Sequence, residues 1–234
     1  MYLGYYSYDY LYVLLLIPLI LLSTWAQLNI NRTYAKFSQM GNSRYMTGAD
    51  AALAILRANG IANVRVERVS GHLSDHYDPR ARVIRLSDSV YGGQSIAAVG
   101  VAAHEAGHAV QYAKGYLPVR LRTLILPAVT FSNRWMMLLI IVGLLIGFWQ
   151  LAMVGVILFG VVTFFQFVTL PVEFNASRRA LAALRDHAGM QERDTDGAAK
   201  VLRAAALTYV AAFAVSLLQF LRFLAMVSRN NRRN

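Results

Sequence analysis

The chain has 234 residues, of which 57% are hydrophobic and 15% charged, and it carries a formal net charge of +11 and no cysteine. This hydrophobic fraction exceeds that of soluble domains and indicates a membrane protein, while the lack of cysteine excludes disulfides and cysteine-ligated zinc. The basic residues cluster at the ends of apolar stretches without a DNA or RNA recognition motif, which indicates lipid headgroups as partners and no nucleic acid.

The first predicted element is a transmembrane helix within residues 1–28. Residues 10–28 contain no ionisable side chain except tyrosine hydroxyls, and they are long enough to cross about 30 Å of hydrocarbon as a helix. The alternative is a cleaved signal peptide. It is disfavoured because the apolar run is too long and no basic segment precedes it.

Residues 29–119 are predicted to form a region outside the bilayer, beginning with a short helix. Thr47 and Asp50 provide an N-cap signal for a helix over residues 48–59, and Gly60 ends it.

Two alternating segments, residues 61–71 and 81–87, predict strands of a small sheet with a turn at Asp78 and Pro79 between them. A longer helix over residues 96–113 then follows, with Ser95 as its N-cap.

A transmembrane hairpin is predicted over residues 120–171. Ser132, Asn133 and Arg134 interrupt its first apolar stretch, so we expect that span to begin nearer Trp135, with residues 121–131 along the membrane interface.

The remaining chain is predicted to be helical. Residues 172–203 form a predicted helical region that contains Glu173. Asp194 or Thr195 caps a helix that runs into a C-terminal membrane helix and basic tail at residues 204–234. The predicted fold class is a mainly α membrane protein with about four transmembrane helices and a small α+β region at the membrane surface.

The motif that carries chemistry is HExxH, formed by His104, Glu105 and His108. Residues four apart share one face of a helix, so both imidazoles can bind one zinc ion. Glu105 then lies beside the metal, where it acts as general base on a water that zinc acidifies. The alternative interpretation is two structural histidines on a buried helix.

Catalytic zinc usually takes three protein ligands and leaves one position for water. Glu173 is the only acidic residue between Glu105 and Asp186, and it is the predicted third ligand. Because it follows Pro171, we expect it to open a helix. The alternative is therefore a carboxylate that only stabilises a helix N-terminus.

Three segments together resemble the YugP-type neutral zinc metallopeptidases, small bacterial membrane proteins related to the gluzincins: SDHYDPR at 74–80, VAAHEAGHAVQ at 101–111 and TLPVEFNASRRA at 169–180. The resemblance implies that His104, His108 and Glu173 bind zinc and that Glu105 is the general base. It also implies that the small α+β region at residues 29–119 is a zincin-like catalytic region. Many gluzincins have an aspartate four residues after the third ligand, where this chain has Ser177. We therefore expect Asn175 or an upstream aspartate to orient a zinc histidine.

His72 and His76 are also four apart, but the residues around them indicate a turn instead of a second helical metal site. His76 is the predicted catalytic residue that donates to the developing oxyanion, with Tyr77 as the alternative. A turn-stabilising role for His76 is also open. The strand at 81–87 is hypothesised to pair with an extended peptide substrate.

Topology follows from the basic residues. None precedes Tyr10, whereas Arg32, Lys36 and Arg44 follow the first span, so we expect the active site to face the cytoplasm of a bacterial cytoplasmic membrane. The hairpin returns Glu173 to the side of HExxH. A fourth crossing would place the basic tail outside, against the positive-inside rule, so the last segment is either interfacial or an exception.

The predicted function is a membrane-embedded zinc endopeptidase that cleaves peptides or membrane proteins near the membrane surface. The alternatives are a non-catalytic zinc-binding scaffold and an intramembrane site-2-type protease. The site-2-type protease usually takes an aspartate ligand from another span, and the predicted spans contain none. The sequence leaves the oligomeric state open.

Overall fold

The structure is a computed structural model that describes residues 3–71 and 74–231, with the side chains of residues 12–71 and 74–229. Its elements, in chain order, are α1 Leu3–Ser38, α2 Gly48–Ala58, β1 Arg65–Val69, β2 His76–Asp78, β3 Val83–Ser87, α3 Asp88–Tyr91, α4 Ile96–Ala113, α5 Leu117–Leu145, α6 Trp149–Asp186 and α7 Glu192–Asn231.

Four of these helices are long and apolar enough to cross a membrane. Within the described residues the candidate spans are Tyr12–Ser38, Leu117–Leu145, Trp149–Asp186 and Glu192–Arg229. Together with one small sheet, they confirm the predicted mainly α membrane protein with a small α+β region.

The chain forms two compact units. The membrane unit comprises Met1–Trp25, Leu121–Leu170 and Thr208–Asn234, and the sheet unit comprises Ala26–Arg120 and Pro171–Leu207. The sheet unit is therefore built from two separate pieces of sequence, and HExxH and Glu173 both belong to it.

Pro171 lies inside α6, so the prediction that Glu173 opens a helix is wrong. Proline inside a helix costs about 3 kcal/mol because it removes one hydrogen bond and crowds the preceding turn. On the helix turns that follow, Val172, Ala176 and Ala180 are completely buried. Burial of this apolar face favours a continuous helix despite the proline.

The structure confirms two of the predicted N-caps and corrects a third. Thr47 and Asp50 form the predicted capping box of α2, and the Ser95 hydroxyl accepts the Ala98 N–H at the start of α4. In contrast, α7 begins at Glu192, before the predicted cap at Asp194 or Thr195. The buried Asp194 carboxylate instead accepts the backbone N–H of Ser43 at 2.8 Å.

The sheet has the strand order β1-β3-β2. β1 pairs with β3 in parallel, which confirms that the two predicted strands form a sheet, and β2 pairs with β3 in antiparallel fashion. The prediction of a turn around His76 is wrong, because His76–Asp78 is a strand. Three residues are too few to show alternation in a sequence, and the pairing with β3 defines this strand.

The turn predicted at Asp78 and Pro79 is confirmed. The Asp78 carboxylate accepts the N–H groups of Arg80 and Ala81 at 2.9 and 3.1 Å, an arrangement typical of aspartate-stabilised turns. This turn leads from β2 back into β3, which becomes the central strand.

The core of the sheet unit lies between α2, α4 and the sheet. Large side chains that are at most 1% exposed include Ile55, Leu56, Ile84, Leu86 and Ile96. This packing fixes α4 along its length, apart from the face that carries HExxH.

On another side, α4 closely approaches α6 at Gly107. A Cβ atom on Gly107 would lie 2.6 Å from the backbone oxygen of Ala176. Such a distance is far inside van der Waals contact, and a backbone atom cannot move aside as the end of a flexible side chain can. Glycine at this position is therefore what allows the two helices to meet.

We expect Gly107→Ala to separate α4 from α6 and to destabilise the sheet unit by about 1–3 kcal/mol, the usual cost of overpacking. All three tryptophans, Trp25, Trp135 and Trp149, belong to the membrane unit. Tryptophan fluorescence would therefore report on the membrane unit and not on α4. The measurement is hydrogen exchange of residues 96–113 by mass spectrometry, which we expect to be accelerated about five-fold or more.

Gly41→Ala is the matched control, because a Cβ on Gly41 would have no atom within 4 Å. Exchange in Gly107→Ala no faster than in Gly41→Ala would contradict the importance of this contact.

Candidate metal centre

The HExxH residues lie in the middle of α4, on its incompletely buried face. His104 and His108 have ring centroids 4.7 Å apart, with ring planes at 82°. Ala102, Ala103 and Ala106 of the same helix are completely buried. The small side chains thus hold the helix against its neighbours while the two imidazoles converge on one point.

Glu173 reaches this point from α6. It is only 3% exposed, and its Oε2 lies 3.2 Å from His104 Nε2 and 3.6 Å from His108 Nε2. Glu173 is an interior residue of α6. The alternative that it merely stabilises a helix N-terminus is therefore wrong.

The spacing of these donors fits zinc. The three ligand atoms all lie within 4.8 Å of one another. With metal to ligand distances of about 2.0–2.1 Å, tetrahedral geometry places neighbouring donors about 3.3 Å apart. The distances from Glu173 to both imidazoles are close to that value, and the donor set of two imidazoles and one carboxylate is one that catalytic zinc uses.

The electrostatics of the site also favour a cation. Burial by itself lowers the pKa of His108, but the hydrogen bond to Glu173 and the charges of Glu105 and Glu173 outweigh it, so this pKa lies above its ordinary value. Two carboxylates thus favour positive charge at the imidazole. The same negative potential would attract a divalent metal ion.

Both histidines have a partner on the ring nitrogen that faces away from Glu173. Ser177 Oγ lies 3.2 Å from His104 Nδ1, and Gln111 Oε1 lies 3.0 Å from His108 Nδ1. The expectation that Asn175 or an upstream aspartate contacts a zinc histidine is wrong for Asn175, which bonds to Gln111 and Arg179. Among the upstream aspartates, Asp75 bonds to Ser87.

Sequence reasoning missed Gln111 and discounted Ser177. A signal for each was present: Gln111 follows His108 by three residues on one helix, and Ser177 follows Glu173 by four. Residues at these spacings share a helix face. A polar residue at either position therefore lies on the side of its helix that carries the ligand.

His76 and Tyr77 point to opposite faces of β2, as neighbouring strand residues do. The His76 ring contacts the Ser74 carbonyl at 2.7 Å and Arg85 at 3.4 Å. The Tyr77 ring packs edge-on against Tyr112 of α4, with centroids 5.5 Å apart. Of these two side chains, Tyr77 is therefore the one directed to the HExxH helix. His72 lies outside the described residues.

Two comparisons with known proteins identify the family of this chain. Residues 12–228 match the family described as "Putative neutral zinc metallopeptidase". The chain is also 46% identical over 222 residues, covering 95% of this chain and 98% of the relative, to a Bacillus subtilis (strain 168) protein named "Putative membrane protease YugP". No solved structure matches the chain. These matches confirm the resemblance found in the motifs: the chain belongs to the neutral zinc metallopeptidase family.

Proposed function

We propose that this protein is a zinc-dependent endopeptidase of a bacterial cytoplasmic membrane. The observation that supports this most strongly is the convergence of His104, His108 and Glu173 at distances suited to tetrahedral zinc. When bound there, zinc supplies Lewis acidity, which polarises a carbonyl and lowers the pKa of water to about 7.

Glu105 performs the proton transfers in this proposal. It lies on α4 next to His104, is only partly buried, and contributes negative charge to the site. Its carboxylate accepts a proton from the attacking water and passes it to the leaving amine nitrogen, so that one residue serves as base and then as acid.

The substrate backbone is proposed to pair with β2. The hypothesis that residues 81–87 pair with it is wrong, because β3 is hydrogen-bonded to β1 on one side and to β2 on the other. Among the described strands, β2 is the edge next to α4, as the contact between Tyr77 and Tyr112 shows. An extended peptide added there would form main-chain hydrogen bonds without strict sequence selection.

Tyr77 is the better candidate for the oxyanion donor, although His76 stays a prediction. Burial and the neighbouring Tyr112 raise the pKa of Tyr77 above its ordinary value. The hydroxyl therefore stays protonated and can donate a hydrogen bond at neutral pH.

The proposed substrates are membrane proteins or peptide segments close to a lipid surface. Glu173 follows Leu170, the last residue of a membrane-unit segment, by three positions. This spacing along the chain supports a site near the membrane surface, with lipids as additional partners. The basic residues after the first span support a cytoplasmic orientation.

The first test measures bound zinc and casein cleavage on the purified full-length protein in detergent. We expect about one zinc per chain in the wild type, little in His108→Ala and reduced binding in Glu173→Ala. Glu105→Gln should retain zinc and lose cleavage, because the amide cannot accept the proton. A wild type that holds no zinc after reconstitution, or a fully active Glu105→Gln, would overturn the proposal.

The second test compares Tyr77→Phe with His76→Ala. Tyr77→Phe keeps the ring packing on Tyr112, and we expect kcat to fall about 100-fold with little change in KM, as removal of one oxyanion donor does elsewhere. His76→Ala should leave kcat within a few-fold of the wild type. The reverse pattern would assign the role to His76.

The third test determines which side of the membrane the sheet unit faces. Because the wild type has no cysteine, a single introduced cysteine is the only thiol that can be labelled in the protein. A membrane-impermeant maleimide should label Ser7→Cys in intact cells, and Ala58→Cys, which is exposed on α2, only after permeabilisation. The cysteine-free wild type is the control for specific labelling. Labelling of Ala58→Cys in intact cells would place the sheet unit outside.

A further inference from the structure

We propose that Gln111 is a positioning residue that holds His108 in the tautomer with a proton on Nδ1, which leaves Nε2 free to bind a metal. The metal-binding role of Nε2 rests on the proposed function, whereas the tautomer is inferred from hydrogen-bond geometry alone. Gln111 is completely buried in the sheet unit. A buried amide without hydrogen-bond partners is costly, so the partners it has determine its orientation.

The Gln111 side chain has three such partners. Its Nε2 lies 2.7 Å from the Val172 carbonyl oxygen and 3.1 Å from Asn175 Oδ1, and its Oε1 lies 3.0 Å from His108 Nδ1. Val172 is the residue before Glu173. A single side chain therefore connects one predicted zinc histidine to the turn of α6 that carries the predicted carboxylate ligand.

The orientation of the amide follows from groups that have only one hydrogen-bonding role. A backbone carbonyl only accepts, so the NH2 end of Gln111 must face Val172. The reversed amide would place two oxygens 2.7 Å apart. Arg179 only donates, and its Nε lies 2.7 Å from Asn175 Oδ1. Asn175 therefore also presents an acceptor to Gln111.

The histidine tautomer then follows from the orientation of Gln111. Because Oε1 of Gln111 only accepts, His108 must donate from Nδ1. A neutral imidazole with a proton on Nδ1 has its lone pair on Nε2, and His108 Nε2 is the atom 3.6 Å from Glu173. Gln111 thereby selects the form of His108 that can ligate a metal alongside Glu173.

His104 provides a contrast within the same site. Its Nδ1 contacts the hydroxyl of Ser177 at 3.2 Å, and a hydroxyl can donate or accept. Ser177 supports the ring but does not select a tautomer. Ser177→Ala is therefore a matched control: it removes a hydrogen bond to a predicted zinc histidine but does not remove a group that selects a tautomer.

The test is histidine 15N NMR on the metal-free full-length protein in detergent, at a pH above the His108 pKa. The His108 signals are assigned by their loss in His108→Gln. We expect the Nδ1-protonated tautomer in the wild type and in Ser177→Ala, which keeps Gln111 and its contact with His108. Gln111→Met, of similar length but without the amide, should lose the preference.

A second measurement uses zinc affinity, determined by competition with a chromophoric chelator. Gln111→Met should bind zinc about 10–100-fold more weakly than the wild type, as loss of a group that orients a ligand does elsewhere.

Either of two results would overturn the inference: an Nε2-protonated His108 in the wild type, or a Gln111→Met protein with reduced thermal stability but unchanged tautomer and zinc affinity. The wild-type tautomer requires no variant, so it decides the matter even if Gln111→Met fails to fold. A wild type that shows the expected tautomer but binds no zinc would contradict the proposed function and leave the positioning role intact.

Discussion

The close contact between Gly107 and Ala176 is the constraint on which the candidate metal centre depends. In the proposed zinc site, two histidines on one helix would supply two ligands, and the third would come from a helix far away in sequence. A glutamate side chain is short, so its helix must approach closely. Without a side chain at Gly107, the backbone of α6 lies against α4, and Glu173 reaches both imidazoles.

The polar groups around this contact depend on one another for hydrogen bonds and charge. Glu173 is nearly completely buried, and a buried carboxylate needs positive charge or hydrogen bonds. His104 Nε2, 3.2 Å from Glu173 Oε2, can supply a hydrogen bond, and a bound zinc ion would supply positive charge. Ser177 and Gln111 hold the opposite sides of the rings, so both Nε2 atoms stay directed to Glu173.

Local signals predicted the features that depend on neighbouring residues. The capping box at Thr47 and Asp50, the helix over 96–113 and the strands that became β1 and β3 all follow from short-range patterns. Predictions failed where packing outweighed a local signal. Pro171 did not begin a helix, because the apolar face that follows is buried, and β2 forms only through its pairing with β3.

The sequence by itself determined the membrane character, the family motifs and the chemistry of HExxH, because hydropathy and helical spacing are local properties. It also pointed to Glu173, since no other acidic residue lies between Glu105 and Asp186. Only the tertiary structure decided that Glu173 meets the histidines, that Gln111 and Ser177 are their partners, and that β2 is the edge strand beside α4. Those are contacts between residues up to 73 positions apart, and the packing of separate helices and strands creates them.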